Sequence, residues 1–277
     1  MGWMRLGCLL GFCLATTGAA AAGNDDIARG LSAVNRGDNG QAINYFSAAL
    51  ASGRLDAGLQ RIAYFDRARA YMNEEECGSA VSDLTAAINL KPDNTDDYML
   101  RGRANRCAGH NAEAIADYTE VIRTNPSGNA YWQRALARWN DGDFDGAATD
   151  CSAAMLFAPK WPYPVLWYAM AKLRTGHFDA GDLNARAQML DLGQWPGSVF
   201  ALYAGNAKPE DVLDAAAHSD AKALNDNRCE ADFYVAEWWL SRKKTDTARS
   251  LLEDVRGNCR HDFIEYSAAN AELNRIN

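Results

Sequence analysis

Apolar and small residues recur along this chain at helical spacing, in blocks separated by short polar turns. Tyr64, Ala68 and Tyr71 fall at i, i+4 and i+7, and so do Ala80, Leu84 and Ala87. Positions spaced in this way share one face of an α-helix, the stripe a helix turns toward its neighbour. The blocks themselves repeat. Pro92 and Pro126 are 34 residues apart, and Pro126 and Pro159 are 33 apart. Gly109 and Gly142 stand at one common offset before the last two prolines. A period of this length holds two helices joined by a tight turn. Small residues must sit where the two backbones approach. Proline then stops the second helix, because it lacks an N–H and its ring clashes with the preceding turn. The pattern predicts an all-α solenoid of stacked helical hairpins, closed by a C-terminal capping helix.

Four units can be aligned on these positions. The first carries Gly30, Gly37, Ala42, Phe46 and Ala49, and the second Tyr64, Ala68, Tyr71, Ala80, Leu84, Ala87 and Pro92. The third carries Tyr98, Gly102, Gly109, Ala114, Tyr118 and Pro126. The fourth carries Tyr131, Ala135, Gly142, Ala147, Ala154 and Pro159. A fifth is weaker, with Ala169 and Gly176 in place but Gly181 and Ala185 where stronger residues are usual. In this register the chain resembles the tetratricopeptide-repeat (TPR) family. It departs from the family pattern at Glu75, where the turn of the second unit usually has glycine. Residues 57–60 read as an insertion that lengthens the loop between the first two units. The array is expected over residues 23–190. An irregular helical connector is expected over 191–228, with a loop at 193–197, short helices at 199–203 and 209–217, and a polar loop at 222–227. A TPR-like hairpin, with Ala236 and Ala248 at the small positions, and a covering helix at 263–276 complete the expected region 229–277.

Residues 1–22 read as a secretion signal. Arg5 is the one charge ahead of the apolar or small residues 6–15, and small residues 16–22 end in Ala20, Ala21 and Ala22. That ending suits cleavage before Gly23. The apolar run is too short to span a bilayer as a mature helix. The expected setting is periplasmic or secreted. An oxidising compartment favours disulfides. Of the seven cysteines, Cys8 and Cys13 leave with the signal. Cys229 starts one helix and Cys259 follows the end of its antiparallel partner, so the two ends lie side by side. Cys77 and Cys107 stand at the turn ends of neighbouring units. Both pairs are therefore predicted to bond, and Cys151 is predicted to be a small buried hydrophobe.

A formal net charge of −8 argues against nucleic acid as the main partner. No nucleophile elbow, zinc-protease helix or phosphate-cradling loop occurs. Two-residue Cys/His pairs such as Cys107 with His110 supply too few ligands for a metal. The reading is a binding protein without a cofactor, whose partners are other proteins or peptides; the alternatives are a self-associating structural oligomer or an enzyme accessory with a site near 191–228. In TPR arrays the first helix of each unit lines a groove. By the present register Arg69, Met99, Arg103, Arg106, Trp132, Leu136, Trp139, Tyr163 and Met170 face it. Arginine beside aromatic residues suits an extended peptide with an acidic group. The tryptophans have an equal alternative, which is packing between repeats.

The chain also resembles the NlpI-type periplasmic TPR proteins. The residues that carry this are the exported start, the connector around Trp195, Leu202, Tyr203 and Gly205, the hairpin with Cys229, Glu230, Phe233 and Tyr234, and the ending with Glu265, Tyr266, Glu272 and Leu273. The resemblance implies an adaptor that docks proteases and cell-wall hydrolases, often as a homodimer. Neither Cys8 nor Cys13 sits in a good lipobox, so the expected protein is soluble, without a lipid anchor.

Overall fold

The computed structural model describes residues 13–218 and 223–276, with side chains from residue 23. Residues 1–12 of the expected export segment lie outside the described residues, and 13–22 appear only as helical backbone. Among the described residues every regular element is a helix. The chain divides into two units, Met1–Gly109 and His110–Asn277.

The first unit holds α1 (Cys13–Asn35), α2 (Asn39–Ala51), α3 (Ala57–Asn73), α4 (Cys77–Leu90) and α5 (Thr95–Cys107). Helices α1 and α2 form one antiparallel hairpin, and α3 and α4 another. Their contact surface is built from small residues against a few large ones. Phe46 lies against Gly30, where a Cβ would come within 2.6 Å of the ring, so glycine is required there. Ala42, Phe46 and Ala49 of α2 and Ala80, Leu84 and Ala87 of α4 are all fully buried. The side chains of Asp38 and Asp56 accept from backbone N–H groups in the first turns of α2 and α3, which satisfies donors that a helix leaves unpaired. The expected loop insertion at 57–60 is instead helical. It extends the start of α3, because Asp56 provides a cap one residue earlier, and the connection is 52–56.

Unit 2 contains α6 (Asn111–Thr124), α7 (Gly128–Asp141), α8 (Phe144–Phe157), α9 (Pro162–Arg174) and α10 (Ala180–Ala187). These are followed by α11 (Gly197–Tyr203), α12 (Pro209–Ala217), α13 (Leu224–Ser241), α14 (Thr245–Asn258) and α15 (Ile264–Ile276). The short helices at the connector stand where the sequence placed them. The polar loop expected at 222–227 does not: residues 224–227 form the first turn of α13, and Lys222 lies outside the described residues. Composition misled here, because the polar residues of that turn face outward while Asn227 and Cys229 reach the interior.

One turn recurs between paired helices. Gly142 closes α7 with φ +90, a left-handed conformation that glycine adopts without Cβ strain, and Gly37, Gly109 and Gly176 do the same in their turns. Glu75 (φ +61) and Lys243 (φ +59) occupy the corresponding turns of the α3–α4 and α13–α14 hairpins. The turn thus marks α13–α14 as one more copy of the repeated hairpin.

Two disulfides are present, Cys77–Cys107 and Cys229–Cys259, with Cα separations of 5.9 and 5.8 Å. Each spans 30 residues, worth about 3–4 kcal/mol in the loop-entropy account. Cys151 is a buried free thiol, and burial pushes its pKa far above the ordinary thiol range.

Candidate protein-binding faces

The residues at 65, 69 and 72, at 99, 103 and 106, and at 132, 136 and 139 hold one register on α3, α5 and α7. They read Phe65, Arg69, Met72; Met99, Arg103, Arg106; and Trp132, Leu136, Trp139. The row is mixed and basic in unit 1 and wholly apolar in unit 2.

In unit 1 the row is open to solvent. Arg103 is exposed, Arg69 is half exposed, and Met99 and Arg106 are partly buried. Arg69 donates to Asp66 at 2.9 Å. Burial lifts the Asp66 carboxyl above its usual range, against the pull of that arginine. Helices α3 and α5 are joined below this row by Arg61, which donates to both oxygens of the fully buried Asp97. The Cys77–Cys107 bond ties the far end of α5 to the start of α4.

In unit 2 the corresponding row is filled by the chain itself. Trp132, Leu136, Trp139 and Met170 belong to one continuous core. Trp132 and Trp139 both meet Trp167 of α9 edge-on, with ring centroids 5.6 and 5.2 Å apart, and Trp167 stacks on Phe233 of α13. The tryptophans therefore follow the packing alternative. Helix α13 runs alongside α9 in the same direction. Tyr163 donates to Glu230 at 3.0 Å, Trp167 to the Tyr234 hydroxyl at 3.3 Å, and Arg174 to Glu237 at 3.0 Å. Tyr163, expected in the groove, is thus committed to α13. Sequence spacing alone could not show this, because the partners lie 63 to 67 residues away.

Helix α15 then lies against α7, α13 and α14. It meets α7 at that helix's C-terminal end and so closes the stack as the expected capping helix. Glu272 is fully buried and accepts from Arg174 at 2.7 Å and from Arg275. Arg275 donates to the backbone carbonyls of Trp139 and Asn140 at 2.5 and 2.6 Å. Phe144 lies under both guanidiniums, 4.5 Å from that of Arg174 and 5.3 Å from that of Arg275.

Three acids on α13 are displaced upward. Burial, reinforced by the charge of Glu272, pushes Glu237 to about 8. Burial carries Glu230 to about 7 despite hydrogen bonds from Trp195 and Tyr163. Burial and the charge of Asp254 bring Asp232 to about 6. The connector around Glu230 is filled: Val199, Phe200, Leu202, Val212 and Ala216 are buried, and both Glu230 oxygens have donors, Tyr163 and Trp195. Among the described residues no group of three or more metal-ligating side chains converges, and no helix is long and apolar enough to cross a membrane.

A family model described as the tetratricopeptide repeat matches residues 27–95 and 99–162. Among solved structures, the fold is similar to a tetratricopeptide repeat protein from Parabacteroides merdae ATCC 43184. That match has a TM-score of 0.62 at 14% identity and covers 91% of this chain and 99% of the other. It is also similar to MamA, with a TM-score of 0.55 at 18% identity, over 60% of this chain and 90% of that one. A MamA fragment from Desulfovibrio magneticus RS-1 matches at TM-score 0.52 and 15% identity, over 61% and 90% of the two chains. These likenesses establish the fold of stacked TPR hairpins.

Proposed function

We propose that the protein is an extracytoplasmic adaptor that binds a peptide or partner protein along the inner row of unit 1. One observation carries this reading. At one register position α3 and α5 present Arg69 and Arg103 to solvent, while α7 presents Leu136 to the chain's own core. Arginine is placed where the row is open, and hydrocarbon where it is covered. Met99 adds an adaptable apolar surface next to the cations, and Arg106 extends the basic row. Such a surface suits an extended segment with an acidic side chain or a terminal carboxylate.

The two disulfides are consistent with an oxidising compartment, and with the export segment read from residues 1–22. A periplasmic scaffold for envelope proteases or cell-wall hydrolases agrees with this setting, and its work is binding without catalysis. The test is affinity capture from envelope extract with the wild-type chain and with an Arg69→Glu/Arg103→Glu variant of unchanged melting temperature. A partner recovered by the first and lost by the second supports the reading. Equal recovery, or none by either, sinks it.

A further inference from the structure

The two disulfides close segments of one length but stand in different surroundings. Both cysteines of the Cys229–Cys259 bond belong to the core of unit 2 and are only 4% and 8% exposed. In the Cys77–Cys107 bond, Cys77 is 6% exposed, but Cys107 is open to solvent. A disulfide exchanges when a thiolate reaches one of its sulfurs. Access therefore decides which bond reacts and at which end.

The chemistry around the exposed bond favours one direction of attack. Cys107 is the last residue of α5 and Cys77 the first of α4. Arg103 is exposed one helical turn before Cys107 and on the same face, so an arriving thiolate meets a cation. The sulfur that must then leave is that of Cys77. It stands in the first turn of α4, whose N–H groups receive no side-chain cap. Those donors and the helix dipole favour a thiolate there, and a stabilised thiolate leaves faster. At Cys107 the dipole is reversed and opposes a thiolate. The exposed carboxylates of Glu74, Glu75 and Glu76 work against charge on Cys77. Access at Cys107, rather than acidity at Cys77, is thus what separates this bond from Cys229–Cys259.

We propose that Cys107 is a site of thiol–disulfide exchange, at which a thiolate from solution opens the Cys77–Cys107 bond while Cys229–Cys259 stays closed. The attacking thiolate forms a bond to Cys107 Sγ. The original S–S bond breaks, and its electron pair leaves on Cys77 Sγ. A second thiol then attacks the added sulfur and Cys107 departs as its thiolate. The two donor thiols end as a disulfide, and two electrons have passed to the protein. The bond lies one residue beyond Arg106, at the end of the basic row of unit 1. The inference concerns the bond and stands whether or not that row binds peptide.

Reduction of the full native chain, followed by alkylation and peptide mass spectrometry, tests both the choice of bond and the direction. With glutathione as the probe, the early adduct is expected to carry glutathione on Cys107 and the alkyl label on Cys77. The reverse placement overturns the stated direction. With dithiothreitol, Cys77 and Cys107 are expected to become alkylatable at least tenfold faster than Cys229 and Cys259. In denaturant that difference is expected to vanish, because it comes from the fold. One common rate in the native chain, earlier opening of Cys229–Cys259, no opening of either bond before unfolding, or a difference that persists in denaturant overturns the site. The wild-type chain serves throughout, so no variant has to fold.

Discussion

Arg67 and Asp83 are joined by two hydrogen bonds of 2.7 Å, and the same guanidinium donates at 2.8 Å to Ser47. One arginine on α3 thus fastens its own hairpin partner, α4, and the second helix of the preceding hairpin, α2. The arrangement recurs one period pair later. Arg134 on α7 donates to Asp150 on α8 at 2.8 and 2.7 Å and to Thr119 on α6 at 3.0 Å. Asp83 and Asp150 are both buried, and the paired aspartates hold the Arg67 and Arg134 guanidiniums above their ordinary range. Arg67→Ala leaves Asp83 buried without its bidentate partner and is expected to cost about 3 kcal/mol. Arg134→Ala is expected to cost clearly less, because Arg138 remains 3.1 Å from Asp150. Denaturant titration of the two variants checks the order.

Cys229→Ser/Cys259→Ser is expected to lower stability by about 3 kcal/mol, and Cys77→Ser/Cys107→Ser by a similar amount. Each pair closes a segment of the same length. In the native wild-type chain Cys151 is expected to resist a thiol reagent until denaturant is added, since the thiolate would form in a fully buried site. Mass spectrometry of alkylated protein, native and unfolded, reads both points.

Turn chemistry gives opposed predictions. Lys243→Gly is expected to stabilise by up to about 1 kcal/mol, because lysine is strained at φ +59. Gly142→Ala is expected to destabilise by at least about 1 kcal/mol, since φ is +90 and the added Cβ would stand 3.6 Å from the Arg275 guanidinium. Thermal melts of the two variants decide it.

Unit 2 is expected to lose stability as pH rises between about 5 and 8. Glu237, Glu230 and Asp232 have folded values of about 8, 7 and 6, above their unfolded values of 4.5, 4.5 and 3.8. The folded state then holds protons that the unfolded chain releases. Their contribution is intact below the unfolded values and is lost as pH climbs through the folded ones. Each group adds a slope of up to about 1.4 kcal/mol per pH unit within its own window. Glu237→Gln is expected to flatten the alkaline part of the curve. Melting temperatures from pH 5 to pH 9 measure both chains.

The hairpins, the turn positions and both cysteine pairs were legible in the sequence, because each depends on residues within one or two periods of one another. Gly142, Pro159 and the 30-residue cysteine separations are local facts of the repeat. The filled inner side of unit 2 was not legible by register. Trp132 and Arg69 belong to one row, and only their chemistry separates them: an all-apolar row needs a cover. Which segment supplies it depends on contacts such as Tyr163 with Glu230, 67 residues apart, which no period announces. The first turn of α13 was missed because its polar residues resemble a loop until Asn227 and Cys229 are seen to point inward.

The bond between Cys229 and Cys259 also sets the reach of whatever follows it. Only residues 260–263 separate Cys259 from the start of α15. Fully extended, four residues cover roughly 14 Å. The final helix is therefore seated within that distance of the hairpin end that the bond closes. The crosslink thus spares the last element most of the search that an untethered tail would make before docking.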